Sequence, residues 1–133
     1  MLPGFRTRRT IRAMDTLIDI IVQGAERYRD RPALGLRRDD GTTFHWTYAE
    51  LLRRSRIAAW RLGALDLRPG DRVLTWSPST PALPAAYFGA MFARLIVVPL
   101  DTRMAPDAVA RIVAKSGAVR LLLGTGRDAP DPR

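Results

Sequence analysis

A chain of 133 residues with 47% hydrophobic side chains can bury one real core, so one domain or a piece of one is expected. It has no cysteine, which excludes disulfides and thiolate metal sites and makes a reducing cytoplasm the expected compartment. The +9 formal charge rests on 21 arginines and one lysine, dispersed over helix faces and not interleaved with aromatics, so no nucleic-acid partner is expected.

Residues 1–13 read as a basic, disordered arm: Arg6, Arg8, Arg9 and Arg12 occur without an acid and without the apolar run of an export signal. A start at Met14 is a second reading, because folded patterning begins just after it. Asp15 or Thr16 then caps a first helix, with Thr16 and Asp19 spaced as a capping box. Leu17, Ile20, Ile21, Ala25 and Tyr28 make its expected buried stripe. Arg27, Arg29 and Arg31 suit the negative end of the helix dipole, and Pro32 closes the element.

From Ala33 to Thr47 the period changes to two, with Asp39-Asp40-Gly41 as the turn of a β-hairpin. Phe44 and Trp46 share one side; Thr43, His45 and Thr47 share the other. The only histidine is therefore expected to face solvent, and no second histidine or cysteine exists to complete a metal site. Thr47 caps the longest helix with Glu50 at the third helical position. Leu51, Ser55, Ala58, Ala59, Leu62 and Leu65 repeat along its buried side, while Arg53, Arg54, Arg56 and Arg61 form a solvated face.

Arg68-Pro69-Gly70-Asp71 turns the chain into three apolar strands, Val73 to Trp76, Leu95 to Leu100 and Val119 to Leu123. Their lack of polar alternation is the pattern of strands buried on both faces of a parallel sheet. The segments between them have helix length. Thr80 to Arg94 has Thr80 as N-cap, Pro81 first and an apolar circumference that calls for protein on both sides. It is too short and interrupted to span a bilayer. Pro106 to Ser116 sets Val109, Ile112 and Val113 against Asp107, Arg111 and Lys115, and Gly117 stops it. The fold class is α/β: a β-hairpin and long helix followed by a βαβαβ parallel-sheet unit.

Thr47-Tyr48-Ala49-Glu50-Leu51, then Arg68-Pro69-Gly70-Asp71-Arg72-Val73, then Phe92-Ala93-Arg94-Leu95-Ile96-Val97-Val98-Pro99-Leu100-Asp101, in this order and spacing, resemble the opening of an AMP-forming acyl-CoA synthetase. That superfamily also holds nonribosomal peptide adenylation domains and firefly-type luciferases. The resemblance runs from Thr16 to about Gly124 and implies an incomplete N-terminal subdomain of the adenylate-forming fold. Residues 14–126 would be the N-terminal portion of an AMP-binding domain, followed by a Pro-rich end, residues 127–133. Two positions depart from the family pattern. Pro78-Ser79-Thr80 stands where Pro-Asn-Ser is common, and Arg94 stands where a glycine usually precedes the second strand, which implies a different helix ending.

The resemblance also implies a ligase that adenylates a carboxylic acid, a fatty acid first among the candidates, with ATP and Mg²⁺ and transfers the acyl group to coenzyme A. Acyl-AMP ligases and amino-acid adenylation domains are the near alternatives. The family's phosphate loop, ribose-binding carboxylate and C-terminal lysine lobe do not occur in these 133 residues. The chain is expected to need the remainder of the adenylate-forming domain and to be inactive alone. No catalytic residue is expected here. Arg103 matches an arginine that in some relatives contacts coenzyme A phosphates, and a place just past a parallel strand suits an anion. Its other reading is a solvent-exposed turn residue.

Gly124-Thr125-Gly126 lacks the third glycine and the following helix of a dinucleotide turn, and Ser77 and Ser79 have no base to activate them. The competing class is a non-catalytic α/β module that binds an anionic partner through its positive field.

Overall fold

The computed structural model describes residues 16–124. The arm 1–13, the alternative start Met14, the alternative cap Asp15, and the segment 127–133 lie outside them. Helix α1 (Leu17–Tyr28) begins after Thr16, whose amide and hydroxyl both donate to the Asp19 carboxylate at 2.9 Å. Ile21 and Ala25 are buried as expected, together with Gly24, which the Tyr48 ring covers so closely that a Cβ would sit 2.7 Å from it. Leu17 and Ile20 do not join the stripe: they are 59% and 47% exposed. Both lie in the first turn, ahead of Ile21, the first buried residue of the helix. At the other end, the Arg27 and Arg31 guanidiniums lie 5.4 and 5.5 Å from the centre of the Tyr28 ring.

Strands β1 (Pro32–Arg37) and β2 (Thr43–Thr47) pair antiparallel, with Leu34 opposite Trp46 and Leu36 opposite Phe44. The turn works through Gly41 at φ +82° and the Asp40 carboxylate, which accepts from the Thr42 amide and hydroxyl at 2.8 and 2.6 Å. Trp46 enters the core and His45 is exposed, as the alternation requires. Helix α2 (Tyr48–Gly63) starts with the expected capping box. Thr47 Oγ1 accepts from the Glu50 amide at 3.2 Å, and Glu50 accepts from the Thr47 amide at 2.8 Å. Leu51, Ser55 and Leu62 are buried; Leu65 lies beyond the helix and is exposed.

Arg54 corrects the solvated-face expectation. Its guanidinium carbon lies 4.3 Å from the centre of the Trp46 ring, so its stem and head cover a core aromatic.

Strands β3 (Arg72–Trp76), β4 (Ile96–Pro99) and β5 (Arg120–Leu123) form a parallel sheet in the order β4-β3-β5, joined by α3 (Ala82–Phe92) and α4 (Pro106–Ser116). Both expected crossovers are present. Val73, Leu74, Thr75 and Trp76 are all at most 3% exposed, whereas Ile96 and Leu123 are exposed. Only the central strand is therefore buried on both faces: the outer two are edges, a consequence of strand order that composition does not carry. Val109 of α4 is fully buried and Gly117 ends that helix at φ +63°. One apolar cluster joins Ile21, Trp46, Leu51 and Ala85; a second joins Leu62, Val73, Ala90 and Leu95. No helix among the described residues is long and apolar enough to cross a membrane.

Both ends of α3 differ from expectation. Thr80 is not its cap: the Thr80 amide turns back to the Pro78 carbonyl at 2.9 Å, Pro81 occupies the cap position, and the helix starts at Ala82. At the far end Arg94 has φ +61°, the backbone that glycine would take. The Leu95 amide donates to the Ala90 carbonyl at 2.9 Å and the Arg94 amide to the Met91 carbonyl at 2.9 Å, a complete Schellman ending. The Arg94 carbonyl accepts from Gly70 at 2.8 Å, which fixes the peptide further. The arginine therefore sits in a left-handed site at a steric cost of about 1–2 kcal/mol. Arg94→Gly relieves more than the added unfolded-state freedom of glycine, about 0.5–1 kcal/mol, takes back. We expect a net gain of about 0.5–1 kcal/mol and a melting temperature raised by a few degrees, read by thermal unfolding.

Candidate functional site at the switch of strand order

The chain leaves β3 toward β4 and, from β4, returns past β3 to β5. With right-handed crossovers, α3 and α4 then lie on opposite faces, and the switch-point crevice opens between the carboxyl ends of β3 and β5, with the β4 loop on the other side of β3. Ser77 and Pro78 follow β3; Leu100 to Arg103 follow β4.

The β4 loop is tied to β3. The Leu100 amide donates to the Thr75 carbonyl at 2.9 Å, and the Trp76 indole Nε1 donates to the Asp101 carbonyl at 3.1 Å. Thr75 is buried in the central strand and its hydroxyl donates to Tyr87 Oη of α3 at 3.2 Å. Opposite, the Gly124 amide donates to the Trp76 carbonyl at 3.1 Å. A Cβ on Gly124 would meet Ser77 Oγ and, at 2.7 Å, the Pro78 ring. Ser77 Oγ itself donates to the Pro78 carbonyl at 3.2 Å, a loop role without a base. Thr125 and Gly126 lie outside the described residues.

Arg103 stands in the β4 loop at the carboxyl edge of the sheet, with its charge already matched. Asp101 Oδ1 accepts from the Arg103 amide at 2.8 Å and from its Nε at 3.1 Å, while Oδ2 accepts from Nη2 at 2.8 Å. The two side chains are 87% and 48% exposed, in the order Arg103, Asp101. The Arg103 hydrogen bonds hold the Asp101 carboxyl down at about 2, and Asp101 in turn raises the arginine. A depressed carboxyl stays ionised above its folded value, so the pair is intact at every physiological pH and separates only in strong acid. Guanidinium has five N–H donors, and two serve Asp101; the Nη1 edge is left for an anion.

His45 is remote on the hairpin, and no group of three His, Asp or Glu side chains that could hold a metal occurs among the described residues. The carboxyl edge of the sheet thus offers a fixed loop, a paired arginine and a close glycine. Sequence reasoning singled out Arg103 and missed the carboxylate that aims it. The signal was local: an aspartate two residues before a polar turn residue commonly accepts that residue's amide.

A parallel layer whose strand order reverses, with helices on both faces, defines the doubly wound α/β class. Within that class the chain belongs to the AMP-binding enzyme family, whose profile matches residues 21–132. It is 33% identical over 109 residues to the long-chain-fatty-acid–CoA ligase of Yersinia pestis, covering 81% of this chain and 18% of that ligase. It is 30% identical over 116 residues to surfactin synthase subunit 1 of Bacillus subtilis, covering 87% of this chain and 3% of that subunit. The N-terminal subdomain of NpsA from Klebsiella oxytoca superposes with a TM-score of 0.78 at 22% identity, over 89% of this chain and 30% of that one. The fold is that of the opening of an adenylate-forming N-terminal subdomain. The chain spans under a fifth of the length of the ligase it matches.

Proposed function

We infer that residues 14–126 are the N-terminal portion of the AMP-binding domain of an ATP-dependent acyl-CoA synthetase, an enzyme that adenylates a carboxylic acid of the fatty-acid class and passes the acyl group to coenzyme A. The observation that carries this reading is the 33% identity, over most of the chain, to a fatty-acid–CoA ligase. The compartment would be the cytoplasm, in keeping with the absence of cysteine.

The residues fit the cosubstrates unequally. Arg103, with its Nη1 edge beyond the Asp101 pair, suits a phosphate of coenzyme A. For ATP and Mg²⁺ the chain offers neither a Ser/Thr/Gly-rich phosphate loop nor a carboxylate cluster among the described residues, so both would be held by the remainder of the domain. This chain's own contribution is to position: the Trp76 and Thr75 bonds hold the Asp101–Arg103 loop against β3 at the carboxyl edge of the sheet.

The test is pyrophosphate release by the full-length enzyme against a panel of acids, with acyl-CoA as final product. An Arg103→Ala enzyme should raise the KM for coenzyme A about tenfold, the loss of one charge-assisted hydrogen bond, while acid-dependent pyrophosphate exchange stays unchanged. An unchanged KM removes the arginine from the site. The similarity to surfactin synthase favours, as second reading, amino-acid or acyl adenylation with a carrier protein as acceptor. Adenylate formation without coenzyme A turnover would select it.

A further inference from the structure

Helices α1 and α2 enclose an open groove of about 740 Å³ on the side of α2 turned away from α3. Its floor is apolar, with Val22 and Leu52 half-buried. Its wall is the face of α2 that repeats at Arg53, Arg56, Ile57 and Trp60, spaced three and four residues apart. Trp60 is 75% exposed, the most exposed large apolar side chain among the described residues, and Ile57 is 39% exposed. Nothing in the fold requires an indole there, since α2 is held by its opposite face through Leu51, Ser55 and Leu62.

The rim carries Arg29, Arg53 and Arg56 against Glu26, an excess of two positive charges. None of the three arginines forms a close ion pair within the described residues, and only Arg53 lies in electrostatic range of a carboxylate outside the groove, that of Glu50. That excess argues against a second copy of the chain, whose own groove would bring the same sign. A recessed floor between arginine rims also suits a ridge of side chains better than a flat bilayer. The geometry points to a docking site for an acidic amphipathic helix of a partner protein. Leucine-like side chains at i, i+3, i+4 and i+7 would fill the floor against Trp60 and Ile57, and flanking carboxylates would meet the arginines. The wall from Arg53 to Trp60 is about 10 Å long, which matches about two helical turns of the partner. This inference is independent of the reading of Arg103, because the groove shares no residue with the β4 loop.

The experiment is fluorescence anisotropy with the full-length protein and a labelled 18-residue helical peptide carrying that leucine pattern and glutamates elsewhere. Its control is the same peptide with lysines for glutamates. Micromolar binding of the acidic peptide, at least tenfold weaker binding of the lysine twin, and at least tenfold loss in both Trp60→Ala and Arg53→Glu/Arg56→Glu would support the site. All three positions are exposed, so these variants keep the fold, as unchanged circular dichroism would show. Equal binding of the two peptides, or wild-type affinity in Trp60→Ala, would overturn it. So would phosphatidylglycerol vesicles engaging Trp60 where the acidic peptide does not, or self-association that Trp60→Ala abolishes.

Discussion

Replacing Gly89 by alanine is expected to destabilise the protein by about 2 kcal/mol, although the substitution raises helix propensity. Gly89 lies at the crossing of α3 on α2. A Cβ there would stand 2.5 Å from Ala58 Cβ, 2.9 Å from the Ser55 carbonyl oxygen and 3.0 Å from the Ala59 amide nitrogen. Two of those three atoms are backbone, held in the helix ladder, and the third is a methyl carbon with no rotamer to change. Relief must come from moving one helix bodily, in a layer where Ser55 and Ala90 are fully buried on either side. Overpacking of that kind costs about 1–3 kcal/mol, here at the upper end because rigid atoms meet rigid atoms. The gain of alanine over glycine in a helix, about 1 kcal/mol, offsets only part of it. The melting temperature should fall by about 10 °C. Gly63 is the internal control: it ends α2 with nothing within 4 Å of its would-be Cβ, so Gly63→Ala should hold or raise the melting temperature. Two glycine-to-alanine changes of opposite sign would separate packing from propensity; a Gly89→Ala protein as stable as wild type would mean the helices can part at no cost.

What could be read in the sequence was what depends on near neighbours. Thr47 with Glu50, Asp40-Gly41, Pro106 and Gly117 each specify a bond or a dihedral within four residues, and each is found doing so. Order along the chain likewise gave the hairpin and the two crossovers. The misses needed the third dimension. Ile96 and Leu123 are as apolar as Val73 and Leu74, yet they are exposed because their strands are the sheet's edges. Arg54 looks like its neighbours Arg53 and Arg56 until the hairpin brings Trp46 beneath it. Arg94 shows the reverse case. The expected change of helix ending did not occur, because hydrogen bonds at Ala90, Met91 and Gly70 hold the left-handed residue whatever its side chain. At the sheet's carboxyl edge, Arg103 was legible as a cation beyond a strand, but not that Asp101 already holds it.

The largest effect on the candidate site is expected from a residue that carries no chemistry. Gly124→Ala places a methyl against Ser77 Oγ and, at 2.7 Å, against both Ser77 Cβ and Pro78 Cδ. A hydroxyl can rotate aside; a Cβ and a proline ring cannot. Gly124 cannot retreat without lengthening the 3.1 Å bond from its amide to the Trp76 carbonyl, at the end of the most deeply buried strand. The Ser77–Pro78 loop must therefore move, by several tenths of an ångström or more. That loop faces the segment where Trp76 anchors the Asp101 carbonyl and Asp101 aims Arg103. Displacements on that scale in positioning groups cost enzymes up to about a hundredfold in rate. If the full-length enzyme forms acyl-CoA as proposed above, the expected result for Gly124→Ala is therefore a ten- to hundredfold drop in that activity, with about 2 kcal/mol of lost stability. Adding Ser77→Gly removes two of the three colliding atoms and leaves Pro78. If the collision is the cause, the double variant recovers much of both losses and is clearly more stable than Gly124→Ala alone. If the two changes simply add, the loop has room to spare, and Gly124 is glycine for a reason outside this contact.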